Sequence, residues 1–136
     1  MNNLYQQSLL LSQSEFYKLE KAFRKSWSLE TANPDFQNQW SETNPAYGQC
    51  TPTALVVNDL YGGKLNYDKE NYHIWNELPD GTQQDFSREQ FKENVKLSIY
   101  KYKTMEDVLE SEHGMQSRMK ERYQLLKETV IKNLGS

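Results

Sequence analysis

The sequence predicts an α+β fold in one domain: a central buried helix packed on a small antiparallel sheet, with further helices flanking it. Three observations carry this. The run C-T-P-T-A-L-V-V-N-D-L-Y from Cys50 places apolar side chains around most of a helical circumference, and a helix apolar nearly all round is buried. Two strand-like runs flank the turn sequence P-D-G, which favours an antiparallel hairpin. Segments near both ends repeat apolar residues at helical spacing on one face only, as helices laid on a core do. The domain spans 1–136, with a first helix over about 13–27, a central Cys/His/Asp region over about 40–91 and a last helix over about 115–134.

In chain order, Ser12 and Glu15 read as a capping box, with Leu11 and Phe16 as its apolar staple. Phe16, Leu19 and Phe23 share one helical face that extends towards Trp27. From Ser28 to Gln49 the pairs Asn33-Pro34 and Asn44-Pro45, with Gly48, read as loop anchored by Phe36, Trp40 and Tyr47. The central helix begins at Cys50, because Pro52 fits only a first turn. It ends at Gly62-Gly63, where glycine takes a left-handed cap readily. Lys64 to Tyr67, Tyr72 to Leu78 and Thr82 to Phe86 are expected strands. Pro79, Asp80 and Gly81 fit a type I turn followed by a left-handed glycine bulge. That three-residue loop pairs Leu78 with Thr82, sets Trp75 opposite Asp85 and His73 opposite Ser87, and makes Asp85 the diagonal neighbour of His73 on one sheet face. Diagonal neighbours lie roughly 7–8 Å apart at the backbone, within reach of longer side chains.

Ser87 and Gln90, with Phe86 and Phe91, form a second capping box and staple. Val95, Leu97 and Ile99 alternate with polar residues and suggest a strand. Thr104 caps a further turn or two, interrupted near Gly114. Met115, Met119, Tyr123, Leu126, Val130 and Leu134 then form the stripe of an amphipathic helix, more often a packing helix than a partner-binding one.

Composition narrows the function. At 136 residues and 36% hydrophobic, the chain relies on its three tryptophans, nine tyrosines and five phenylalanines for core area. Sixteen basic against 19 acidic residues, with no long basic stretch, argue against nucleic acid as a partner. No apolar run approaches a membrane span, and L-L-L is too short for a secretion signal, so a soluble, cytoplasmic protein with no membrane partner is expected. One cysteine and two histidines leave no disulfide framework and make a structural zinc site improbable. Neither metal nor cofactor is expected.

Three residues point to chemistry. A lone cysteine is usually a small buried hydrophobe. Cys50, however, opens a helix, where the amino end and a nearby imidazolium stabilise a thiolate. His73 and Asp85 follow in the order and on the sheet face that a general base and its orienting carboxylate require. Gly48 permits close backbone approach and leaves the Cys50 N–H available to an oxyanion. Gln49 and Asn44 are candidate side-chain oxyanion donors. Asn76 either orients a neighbour or satisfies the hairpin. His113, beside Gly114 in a polar stretch, reads as an ordinary exposed histidine.

The stretches G-Q-C-T-P-T-A-L-V-V-N-D-L-Y-G-G-K-L and H-I-W-N-E-L-P-D-G-T-Q-Q-D-F-S-R-E-Q-F resemble the YunG-like group of small bacterial proteins, whose function is unassigned. The likeness covers roughly Trp40 to Phe91 and weakens towards Trp27 and the terminal R-Y-Q-L-L. More remotely, the order Cys, His, Asp is similar to that of the papain-like and transglutaminase-like superfamily. That resemblance implies a papain-like or transglutaminase-like fold, with Cys50 as nucleophile, His73 as base and Asp85 as orienting group. Where papain-type enzymes place a glutamine oxyanion donor, six residues before the cysteine, this chain has Asn44, and Thr51 replaces the usual aromatic after it. The expected function is a cysteine-dependent amide hydrolase or acyl transferase acting on a peptide, amide or small acyl substrate. Two rivals stand beside it: a non-catalytic binding protein on the same fold, and a structural homo-oligomer using the last helix as its contact.

Overall fold

A computed structural model of the chain describes residues 13–70, 73–87 and 97–135. Helix α1 spans Gln13–Ser26. Leu19, Ala22 and Phe23 are its buried face. Phe16 and Phe23 both pack on Phe86, at ring distances of 4.8 and 5.3 Å. Trp27, just past the helix, donates its indole N–H to the Thr53 hydroxyl at 2.8 Å, which ties α1 to the central helix. The loop that follows contains one 3-10 helix, Pro34–Gln39, whose N-cap Asn33 accepts from the Asp35 N–H. Ser12 and the partners Gln90 and Phe91 of the second capping box lie outside the described residues, as does Val95.

Helix α2, Cys50–Tyr61, starts and stops where Pro52 and the Gly62-Gly63 pair predict. Every residue from Pro52 to Val57 is buried. Gly62 and Gly63 both have positive φ. At Gly63 a Cβ would stand 2.1 Å from the Glu77 carbonyl oxygen, so that glycine also permits the chain leaving α2 to pass close to Glu77.

The sheet has four antiparallel strands in the order β3-β2-β1-β4: β1 Lys64–Asp68, β2 His73–Glu77, β3 Gln83–Gln84 and β4 Lys101–Lys103. Asn76 pairs with Gln84 and Glu77 with Gln83, the register that a three-residue loop imposes. The Gly81 N–H donates to Leu78 O, the Leu78 N–H to Thr82 O, and Gly81 has φ 89°. Strand β3 is shorter than the expected Thr82–Phe86, because Phe86 turns off the sheet into the aromatic cluster with Phe16 and Phe23. Of the expected strand at Val95–Ile99, residues 97–99 are described; they form no strand, and Ile99 is 39% exposed. Pairing with β1 instead begins at Lys101, where Lys103 lies over the Tyr67 ring and Lys64 over Tyr102.

Two short helices follow, α3 Met105–Glu110 and α4 Glu112–Gln116. Thr104 caps α3 in a reciprocal box with Asp107. Gly114 lies inside α4 rather than breaking a helix; the breaks are at Ser111 and at Ser117-Arg118, where Arg118 is left-handed. Helix α5 therefore covers Met119–Leu134 and not 115–134. Its Met119, Tyr123, Leu126 and Val130 are buried in the common core, packed on α1 and α2. Asp59 of α2 accepts from the Tyr123 hydroxyl at 2.6 Å and pairs with Lys127 at 2.5 Å. Most of the apolar stripe of the last helix is thus occupied within the chain.

Candidate functional site

Cys50 is the first residue of α2, preceded by Gly48 at φ 75°. Its side chain meets the start of β2. The imidazole of His73 lies within hydrogen-bonding and Coulombic range of the thiol, the Ile74 N–H donates towards the sulfur, and the Thr51 hydroxyl is 3.6 Å from Sγ. Burial pushes the thiol up, but these donors and the His73 charge outweigh it and hold Cys50 below its ordinary value. The helix amino end adds its own partial positive charge in the same direction.

His73 is fully buried and stacks on Trp75 at 5.9 Å. Its Nε2 is 2.6 Å from Asp85 Oδ2, which leaves Nδ1 as the nitrogen suited to the thiol. The other Asp85 oxygen accepts from the Ser87 hydroxyl at 3.3 Å. Burial alone would lower the imidazole; the Asp85 hydrogen bond and the Cys50 thiolate lift it to about 9. A thiol held low and an imidazole held high both shift the pair towards thiolate and imidazolium. The structure thus brings Cys50, His73 and Asp85 into one chain of contacts.

The other sequence candidates lie elsewhere. Gln49 is buried, with its carbonyl accepting from the Thr31 hydroxyl at 2.8 Å and its amide donating to Ser28 O at 2.9 Å. It holds the loop after α1 in place. Asn44 forms a backbone bridge with Ser41 within that loop and does not line the cavity at Cys50. Asn76 donates to Ala54 O at 2.9 Å and fastens β2 to α2. The backbone N–H of Cys50 has no hydrogen-bond partner among the described residues. Such a first-turn donor is left over by helix geometry and is suited to a developing oxyanion.

Cys50 and His73 open onto a cavity of about 800 Å³, within the usual size of small-molecule sites. Phe36 and Tyr47, edge to face at 5.7 Å, form part of its wall with Tyr67, Lys103 and Arg122. Arg122 has no counterpart in the sequence reading. It is 3% exposed and donates to the carbonyls of Thr31, Gly48 and Ser117. Burial lowers it to about 10, with the Cys50 charge acting in the opposite sense. Its one visible signal was a charged side chain one turn after Met119 and one before Leu126, on the buried face of an amphipathic helix. Among the described residues no group of three or more His, Cys, Asp or Glu could hold a metal, and no helix is long and apolar enough to cross a membrane.

The family model described as YunG protein matches residues 15–135, and the chain belongs to that family. The chain is 29% identical over 115 residues to the Bacillus subtilis (strain 168) protein named "Uncharacterized protein YunG", covering 83% of this chain and 89% of the relative. No solved structure matches the chain.

Proposed function

We propose that this member of the YunG family is a cysteine-dependent amide hydrolase or acyl transferase, distantly akin to papain-like and transglutaminase-like enzymes. One observation carries the reading: a thiol, a buried imidazole and a carboxylate are linked in series at the edge of a cavity large enough for a substrate. Cys50 Sγ attacks the substrate carbonyl carbon, and the carbonyl electrons move onto oxygen. The Cys50 N–H receives that oxyanion. The tetrahedral adduct collapses, the His73 imidazolium protonates the departing nitrogen or oxygen, and a thioester remains. His73, now neutral, takes a proton from water or an amine, which attacks the thioester and restores the thiol. Asp85 holds the ring so that one nitrogen faces the sulfur. Gln49 and Asn44 have no part in this scheme, because the Gln49 amide is bonded to Thr31 and Ser28 and Asn44 does not line the cavity.

Iodoacetamide tests the reading without a known substrate. Cys50 is expected to alkylate well below pH 8.5, the ordinary thiol value being about 8.5, and His73→Ala is expected to slow the reaction near neutral pH. A wild-type rate that follows an ordinary thiol titration removes the nucleophile from the proposal.

A further inference from the structure

We propose that the cavity beside Cys50 takes acyl or amide substrates that carry a carboxylate, with Lys103 and Arg122 as the cations that select it. This rests on the cysteine-enzyme reading and adds the substrate class. The chain as a whole is acidic, at −3, yet the cavity lining runs the other way. Among the described residues, Lys103 and Arg122 line it, and Asp35, exposed on the 3-10 helix, is its single carboxylate. Lys103 lies 4.2 Å over the Tyr67 ring, which is also part of the wall. No carboxylate forms a salt bridge with Lys103 or Arg122 among the described residues; Asp107, on α3, lies within Coulombic range of Lys103 but does not line the cavity.

Arg122 sharpens the point. Its guanidinium is buried, and its oxygen partners are neutral backbone carbonyls. A buried cation without a counter-charge is costly. In the resting site the Cys50 thiolate supplies a negative charge, and the two groups line the same cavity. Thioester formation removes that charge together with the His73 imidazolium charge, which leaves Lys103 and Arg122 as the permanent cations of the lining. A carboxylate on the bound acyl group would complement those two charges, so the lining is better matched to an anionic acyl-enzyme than to a neutral one. The aromatic wall of Phe36 and Tyr47 suits the apolar body of such a substrate.

Two alkylating reagents of nearly equal size separate the parts. Iodoacetamide is neutral and iodoacetate is anionic; each forms the same S–C bond and releases iodide. The rate ratio of iodoacetate to iodoacetamide is measured at Cys50 and, in the same buffer, for 2-mercaptoethanol. The ratio at Cys50 is expected to exceed the reference about tenfold at low salt and to fall towards it as salt is added. Because the His73 imidazolium also attracts anions, the decisive comparison is Lys103→Gln, which should cut the ratio about threefold, while Lys103→Arg should retain it. A ratio no higher than that of 2-mercaptoethanol, or one unmoved by Lys103→Gln, overturns the carboxylate preference. The pH profile with iodoacetamide alone judges the nucleophile, so the two readings fail separately.

Discussion

Replacing Asp85 by Asn keeps the shape of the side chain and removes its charge from a carboxylate 2.6 Å from a fully buried ring. His73 is lifted from 6.5 to about 9, and a rise of that size corresponds to roughly 3 kcal/mol favouring the imidazolium in the folded protein. Asp85 shares this with Cys50, and its hydrogen bond is the larger lifting contribution, so its loss should cost about 2 kcal/mol, in line with a charge-assisted bond becoming a neutral one. For a chain of this size that lowers Tm by roughly 5–8 °C. The sign of the pH dependence follows from the direction of the shift. A group whose folded pKa is raised contributes its full stability below its unfolded value, here near 6.5, and loses it as pH rises through about 9. The gap between wild type and Asp85→Asn, measured by urea unfolding, should therefore be wide at pH 6 and narrow at pH 10. With less imidazolium to hold the thiolate, alkylation of Cys50 near pH 6.5 should also slow about tenfold. An equal gap at both pH values, with unchanged alkylation, would mean that Asp85 only packs against a neutral ring, and the ion-pair argument would be wrong.

Two further tests separate local conformation from packing and structure from chemistry. Gly81 and Gly63 have nearly the same φ, 89° and 90°, but a Cβ at Gly81 meets nothing within 4 Å while one at Gly63 meets Glu77 O; Gly81→Ala should cost about 1–2 kcal/mol from left-handed strain alone, Gly63→Ala at least about 3 kcal/mol, and equal costs in urea unfolding would refute the assigned contact. Gln49→Met removes two hydrogen bonds, from the Thr31 hydroxyl and to the Ser28 carbonyl, while both groups keep their other partners, so it should lose about 1–2 kcal/mol and leave the iodoacetamide rate of the folded protein near wild type; a large drop in that rate at unchanged stability would return Gln49 to the reacting site.

The sequence alone determined the elements whose cause is local. Pro52 and Gly62-Gly63 bounded α2, and the all-round apolar run declared it buried. The turn chemistry of Pro79-Asp80-Gly81 set the hairpin register, and because side chains alternate with period two, that register placed Asp85 beside His73 on one face. Order along the chain did the rest for Cys50. What depends on contacts between distant segments was decided only by the tertiary structure. Strand β4 lies at Lys101–Lys103 because those residues pair with β1, whereas Ile99, the last apolar residue of the alternating run, is exposed. Gln49 is next to Cys50 in sequence, but burial against Ser28 and Thr31 commits its amide elsewhere. Arg122 sits 72 residues past Cys50. Helical periodicity could assign it to the inner face of α5, but only the packing of α5 over α2 carries its charge to the thiol, because electrostatic coupling depends on distance in space and burial rather than on separation along the chain.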